Sequence, residues 1–277
     1  MESAEELVKI DFAHRLSLGL KRLGTAMLDL AYPPVCLACA APVAVADTLC
    51  SACFVQLRPI TAPLCPILGL PFAVSMGPDA ISAEAMAEPP PFGRARAAVV
   101  YGEVPRKIVS KLKYGDRPEL ARFCAQLMAG AGHALWGDAP VLVPVPLHRA
   151  RLRERRYNQS AELARALGRL TGLPVATNLV TRSRRTRQQV GLSGTGRARN
   201  VAGAFAVDPE AALRLRGRRV VLVDDVYTTG ATVKAVSQAL RRGRIDNIDV
   251  VTFARVVVGD DAPIYETQSF SEHSSDG

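Results

Sequence analysis

The stretch that most constrains the fold is Arg219-Val220-Val221-Leu222-Val223-Asp224-Asp225-Val226-Tyr227-Thr228-Thr229-Gly230-Ala231-Thr232. Val220 to Val223 run apolar without alternation, which is how a strand covered on both faces reads. Two adjacent carboxylates follow, then a turn of small residues, and beyond it Val233, Val236 and Leu240 recur at helical spacing. A strand, an acidic pair, a Thr/Gly turn and a helix belong to an open α/β sheet, which takes its ligands at the carboxyl ends of its strands. The turn sets backbone N–H groups and hydroxyls at a helix N-terminus, where a phosphate is favoured. A plainer reading also exists, in which the acids end a strand and a threonine caps the helix. Against it stands the conjunction, since a neutral cap needs neither two carboxylates nor three threonines.

This stretch resembles the phosphoribosyl-diphosphate signature of type I phosphoribosyltransferases. The resemblance implies that Asp224 and Asp225 hold ribose hydroxyls. It gives the 5′-phosphate to Thr228, Thr229, Gly230, Ala231 and Thr232.

Elsewhere the chain supplies strand-like runs at 97–101, 141–145 and 248–258, with helical patterns between them. Together with 219–223 these predict a mostly parallel sheet flanked by helices. One helix is expected to end near Gly115, with Lys107, Lys111 and Lys113 at its margins, and another to span 118–136. Cys124 lies in the latter as a core residue. Residues 1–30 carry a basic amphipathic helix, suited to packing on a neighbouring domain or to lying on a membrane surface. Residues 76–96, rich in Ala and Pro, read as a linker, and the acidic, serine-rich 259–277 as a disordered tail. No run of eighteen apolar residues is present, so no integral membrane segment is expected, and charged residues interrupt the N-terminus too often for a secretory signal. A cytoplasmic location follows as the expectation.

In that compartment paired cysteines usually mean metal. Cys36-Leu37-Ala38-Cys39 and Cys50-Ser51-Ala52-Cys53 stand ten residues apart, within a module expected over 31–75. Two such knuckles place four thiolates around one zinc ion and close its tetrahedron, which makes the ion structural rather than catalytic. Buried apolar thiols or a redox pair are the alternatives. Cys65-Pro66-Ile67-Leu68 looks like a third knuckle whose second cysteine has become leucine.

Charge is concentrated in one region. Between Pro144 and Asn200 lie thirteen arginines, no lysine, and only Glu154 and Glu162, a local +11 against +9 for the whole chain. Arginine suits bidentate contact with phosphate oxygens, so an anionic ligand or a nucleic acid is the indicated partner. With aromatic residues at 5%, base stacking on single-stranded DNA has little support.

Pro144-Val145-Pro146-Leu147-His148, Arg155-Arg156-Tyr157-Asn158-Gln159, Gln189-Val190-Gly191-Leu192 and Arg197-Ala198-Arg199-Asn200-Val201 extend the likeness. With the cysteine knuckles, they make the chain similar to the ComF family of competence-associated proteins, from about residue 29 to 258. The resemblance implies a small N-terminal zinc-ribbon module followed by a type I phosphoribosyltransferase-like domain over 97–258. It further implies a link to DNA uptake, with DNA-uptake proteins as partners, and Mg²⁺ accompanying a bound diphosphate. It puts His148 and Arg149 beside the leaving group and makes 187–200 a cover over the ligand. Whether the site transfers the phosphoribosyl group to a nitrogen acceptor or only senses a nucleotide stays open, with Asp224 and Asp225 the candidates for a catalytic role. The usual glycine before the aromatic–Asn–Gln triplet is Arg156 here.

Overall fold

A computed structural model describes residues 33–77, 80–114, 117–182 and 203–257. The N-terminal helix expected over 1–30, the cover at 187–200 and the tail at 259–277 lie outside these residues, as does the Arg149 side chain. The chain divides into two compact units, Met1–Val55 and Gln56–Gly277.

In the first unit, the second cysteine knuckle runs into a short helix, α1 (Ser51–Val55), which carries Cys53. The second unit begins within the module expected over 31–75, because Cys65, Leu68 and Leu70 are buried in the core of the larger domain. The stretch expected as a linker, 76–96, is also part of that domain. Ser82 accepts the Ala85 N–H as N-cap of α2 (Ala83–Ala87), and Ala85 and Phe92 are buried. The Ala- and Pro-rich composition conceals a cap and two core anchors there.

The larger unit is built on four parallel strands in the order β1 (Ala95–Val100), β6 (Ile248–Arg255), β5 (Val220–Tyr227), β2 (Val141–Pro144). Between β1 and β2 come α3 (Glu103–Tyr114), α4 (Pro118–Ala131) and a 3₁₀ turn at His133–Leu135. Gly132 separates the last two, so the helix expected over 118–136 stops one turn early. After β2 follow α5 (Arg149–Arg155) and α6 (Gln159–Thr171), then the antiparallel pair β3 (Val180–Arg182) and β4 (Phe205–Val207). Next are α7 (Pro209–Arg214), β5, α8 (Ala231–Arg242) and β6.

Helices α4 and α6 pack on each other and on the sheet, α4 over β1 and β6, and α6 over β2 and β5. Val233, Val236 and Leu240 of α8 share a core with Val143, Val220, Leu222 and Val250, alternate residues and hence one face of the sheet. Covered on both faces, β5 and β6 have almost no exposed residue, which accounts for their unalternating sequence. Cys124 is fully buried on α4, in the core role read from its surroundings. Strand β5 runs four residues past the expected end at 223. Asp224 pairs in register with Thr252, Val226 with Ala254 and Tyr227 with Arg255, so the acidic pair lies inside the strand rather than after it. Among the described residues no helix is long and apolar enough to cross a membrane.

Candidate functional site

Strand β5 carries both carboxylates into a cleft of about 290 Å³ at the carboxyl end of the sheet. Asp224 and Asp225 are only 9% and 6% exposed, so each needs partners. Asp224 Oδ1 accepts the Ser160 hydroxyl at 2.9 Å and the Asp225 N–H at 3.0 Å. Asp225 Oδ1 accepts the Val226 N–H at 2.8 Å, and Lys113 Nζ stands 2.8 Å from Asp225 Oδ2. Burial pushes the Asp224 carboxyl up to about 7, and the Asp225 charge adds to it; the Ser160 hydroxyl, the Asp225 N–H and Lys113 only partly offset this. Burial by itself would lower the Lys113 pKa, but the charge and hydrogen bond of Asp225 outweigh it and the net direction is upward.

The turn after β5 faces the same space. Gly230 precedes α8 in the left-handed region, at φ +71°, and offers no capping side chain. A Cβ there would come within 2.3 Å of the Tyr227 hydroxyl oxygen, so both its conformation and its surroundings call for glycine. Thr228, Gly230, Ala231 and Thr232 line the cleft. Thr229 is not among the lining residues; its Oγ1 accepts the Ala231 N–H at 3.4 Å.

Among the described residues, four cations line the cleft against two carboxylates: Lys113, Arg151, Arg155 and Arg182. Arg155 stacks over the Tyr114 ring at 5.1 Å and donates to the Tyr114 hydroxyl and to Gln159 Oε1. Buried Arg182 lies 5.3 Å from the Phe205 ring. Its pKa falls to about 10, through burial first and then the nearby Arg151, with Asp224 acting in the opposite direction.

The Tyr157-Asn158-Gln159 triplet organises this wall. Tyr157 donates to the Leu112 carbonyl near the end of α3. Asn158 donates to the Val145 carbonyl at 3.1 Å and caps α6 by accepting the Ser160 N–H at 3.1 Å. Arg156 adopts φ +65°, the left-handed conformation a glycine takes without strain. The loop therefore keeps a glycine-type turn despite the substitution.

His148, expected beside a leaving group, serves locally as a helix cap. Its Nδ1 accepts the Ala150 N–H at 3.2 Å as the N-cap of α5, and it is not a lining residue. The sequence reading did not assign Lys113, Arg151, Arg155, Ser160 or Arg182 to the site. Ser160 had a local signal, directly after the Asn–Gln pair; Lys113 had none that connects it to a strand 112 residues later.

In the first unit, the sulfurs of Cys36, Cys39, Cys50 and Cys53 all lie within 4.8 Å of one another, with Cys39 and Cys50 at 3.6 Å. A tetrahedron of thiolates around zinc has edges of about 3.8 Å. The set fits zinc and leaves no open position. Without a cation such crowded sulfurs resist ionising together: burial and the neighbouring sulfurs push Cys53 up to about 12.

The family profile described as "Phosphoribosyl transferase domain" matches residues 159–273, and "Double zinc ribbon domain" matches 27–85. Parallel sheet, strand-end carboxylates and glycine turn thus define a phosphoribosyltransferase-type domain joined to a zinc ribbon. The chain is 32% identical over 234 residues to the "DNA utilization protein YhgH" of Escherichia coli (strain K12), covering 82% of this chain and 100% of that protein. It is 39% identical over 114 residues to the "Competence protein F" of Haemophilus influenzae, covering 41% of this chain and 49% of that one. With the "Competence protein ComFC" of Bacillus subtilis it shares 25% over 214 residues, 76% of this chain and 85% of that one. The chain belongs to the ComF family.

Two substitutions test this electrostatic and backbone account. The raised Asp224 pKa means that the folded protein binds a proton the unfolded chain gives up, so stability is lost as pH rises from about 4 through about 7. Asp224→Asn is expected to raise the melting temperature of the unliganded protein at pH 8 by a few degrees, roughly 2–4 °C per kcal/mol, with the gain shrinking towards pH 5. A gain independent of pH would contradict the assignment. Arg156→Gly is expected to stabilise the protein by up to about 1 kcal/mol in urea denaturation, because it relieves the left-handed strain.

Proposed function

We propose that the cleft binds phosphoribosyl diphosphate, or a nucleotide carrying ribose 5-phosphate, and that the protein uses this site in DNA uptake or utilisation. One observation carries the reading: a buried carboxylate pair and a glycine-preceded helix N-terminus share a cleft that, among the described residues, four cations also line. Vicinal ribose hydroxyls are donors that match Asp224 and Asp225. A 5′-phosphate matches the amides and hydroxyls of the turn containing Thr228, Thr229, Gly230, Ala231 and Thr232. A diphosphate on the ribose C1 side matches Lys113, Arg151 and Arg155, with His148 acting by starting α5, the helix that carries the two arginines. The Mg²⁺ expected to travel with the diphosphate would neutralise part of its charge.

In this reading the Lys113–Asp225 ion pair is the resting arrangement of the site. Ribose hydroxyls take up the carboxylate, and Lys113 turns to the phosphate oxygens. If a nitrogen acceptor is also bound, its lone pair forms the bond to C1. The C1–oxygen bond breaks as that bond forms, its electron pair leaving on the diphosphate, and the nitrogen releases its proton to solvent. The cationic wall favours that departing charge. The link to DNA uptake rests on the likeness to the DNA utilization and competence proteins.

Calorimetry with phosphoribosyl diphosphate and Mg²⁺ tests the proposal. One saturable site is expected, with affinity reduced at least about tenfold in an Asp224→Asn, Asp225→Asn double variant, equivalent to about 1.4 kcal/mol. Absence of binding by the unmodified protein, or undiminished binding by the variant, overturns it. Tight, salt-dependent binding of single-stranded DNA that phosphoribosyl diphosphate fails to displace would assign the arginines to nucleic acid instead.

A further inference from the structure

A double zinc ribbon implies two four-ligand sites, yet the described residues bring together only one set of four thiols. The second ribbon is nevertheless present as backbone. Shifting the first knuckle by 29 residues superposes Pro34-Val35-Cys36 on Pro63-Leu64-Cys65, and Pro42 on Pro71. The hydrogen bonds follow the same shift. Cys36 N donates to the Ala41 carbonyl at 2.7 Å and Cys65 N to that of Leu70 at 2.8 Å; Val43 N to that of Pro34 and Phe72 N to that of Pro63, both at 2.9 Å. Val35 bridges Pro42 as Leu64 bridges Pro71, and both Ala40 and Gly69 stand at φ +64°. The second knuckles correspond as well. The five-residue helix after Cys50 has its counterpart after Ser82, with Phe54 N on the Cys50 carbonyl and Met86 N on that of Ser82.

The ligand positions Cys36, Cys39, Cys50 and Cys53 therefore answer to Cys65, Leu68, Ser82 and Ala85. One thiol, one neutral hydroxyl and two apolar side chains do not meet the four N, O or S ligands zinc requires. The four positions are buried all the same. Cys65 Sγ accepts from Ser82 Oγ at 3.3 Å and from the Ser82 and Leu68 N–H groups at 3.4 Å, while Leu68 and Ala85 join the apolar core shared with Ala95 and Ile248.

We infer that residues 63–87 are a second ribbon that has exchanged its metal for an apolar core and a Cys65–Ser82 hydrogen bond, so that the chain binds one zinc ion and not two. The inference rests on the four-cysteine reading of the first ribbon. The metal-free ribbon also gains an attachment. Arg255, 1% exposed at the end of β6, donates to the Leu68 carbonyl at 2.8 Å, reaches Glu84 at 3.4 Å and covers the Tyr227 ring at 4.1 Å. The former metal module thus braces the strand that carries Asp224 and Asp225.

Elemental analysis of the full chain, purified without chelator, tests this. One zinc per chain is expected in the unmodified protein and in Cys65→Ala, and less than one in Cys36→Ser. The triple change Leu68→Cys, Ser82→Cys, Ala85→Cys is expected to raise the count to two. Two zinc ions in the unmodified protein, or loss of zinc in Cys65→Ala, overturns the inference. A count of zero in the unmodified protein overturns the four-cysteine reading beneath it. If the triple variant fails to fold, the comparison of the unmodified protein with Cys65→Ala decides alone.

Discussion

The burial of two adjacent carboxylates inside a central strand sets the terms for the rest of this domain. Neighbouring acids taken out of water repel each other and lose hydration, and both effects oppose having both charged. The surrounding elements answer that cost at fixed points. Ser160 comes from the first turn of α6, whose start is set by Asn158, which is itself bonded to the end of β2. Lys113 comes from the last turn of α3, and Tyr157 is bonded to the neighbouring Leu112 carbonyl. Two helices, α3 and α6, and the end of β2 are thereby tied to one strand end. The arrangement also pushes the Asp224 carboxyl up to about 7, burial being the largest cause.

A site of this kind is organised before anything binds to it. Its Thr/Gly turn is fixed by Gly230 against Tyr227, and Tyr227 is covered by Arg255. The same arginine holds the backbone of the metal-free ribbon. Residues 63–87 are thereby linked to the turn, far from it in sequence but continuous with the core. Replacing a metal by apolar packing suits this use, since a ribbon fused to a large core no longer depends on an ion for its fold.

Much of this was legible in the sequence, and the physical reasons separate what was from what was not. The unalternating Val220–Val223 run, the acidic pair and the glycine turn are local, and they led to the strand, the helix and the cleft. The four-cysteine set was legible because its chemistry admits few alternatives. Lys113 and Arg182 were not legible as site residues, because only the tertiary fold brings them to Asp224 and Asp225. The second ribbon was half visible at Cys65. Its other half, Ser82 and Ala85, retains the spacing of a knuckle without its chemistry, and so it read as linker. Likeness pointed to His148 beside a leaving group and carried no sign that its ring nitrogen also caps α5.

The central claim is that the strand-end acids and the glycine turn receive the two ends of one phosphoribosyl group. A crystal structure of the protein with phosphoribosyl diphosphate and Mg²⁺ tests it most directly. The account predicts the 5′-phosphate on the amides of Thr228 to Thr232, the ribose hydroxyls on Asp224 and Asp225, and Lys113 turned from Asp225 to the diphosphate. Ligand density elsewhere on the chain, or an ordered ligand in the cleft with the Lys113–Asp225 pair intact and the turn unoccupied, would contradict it.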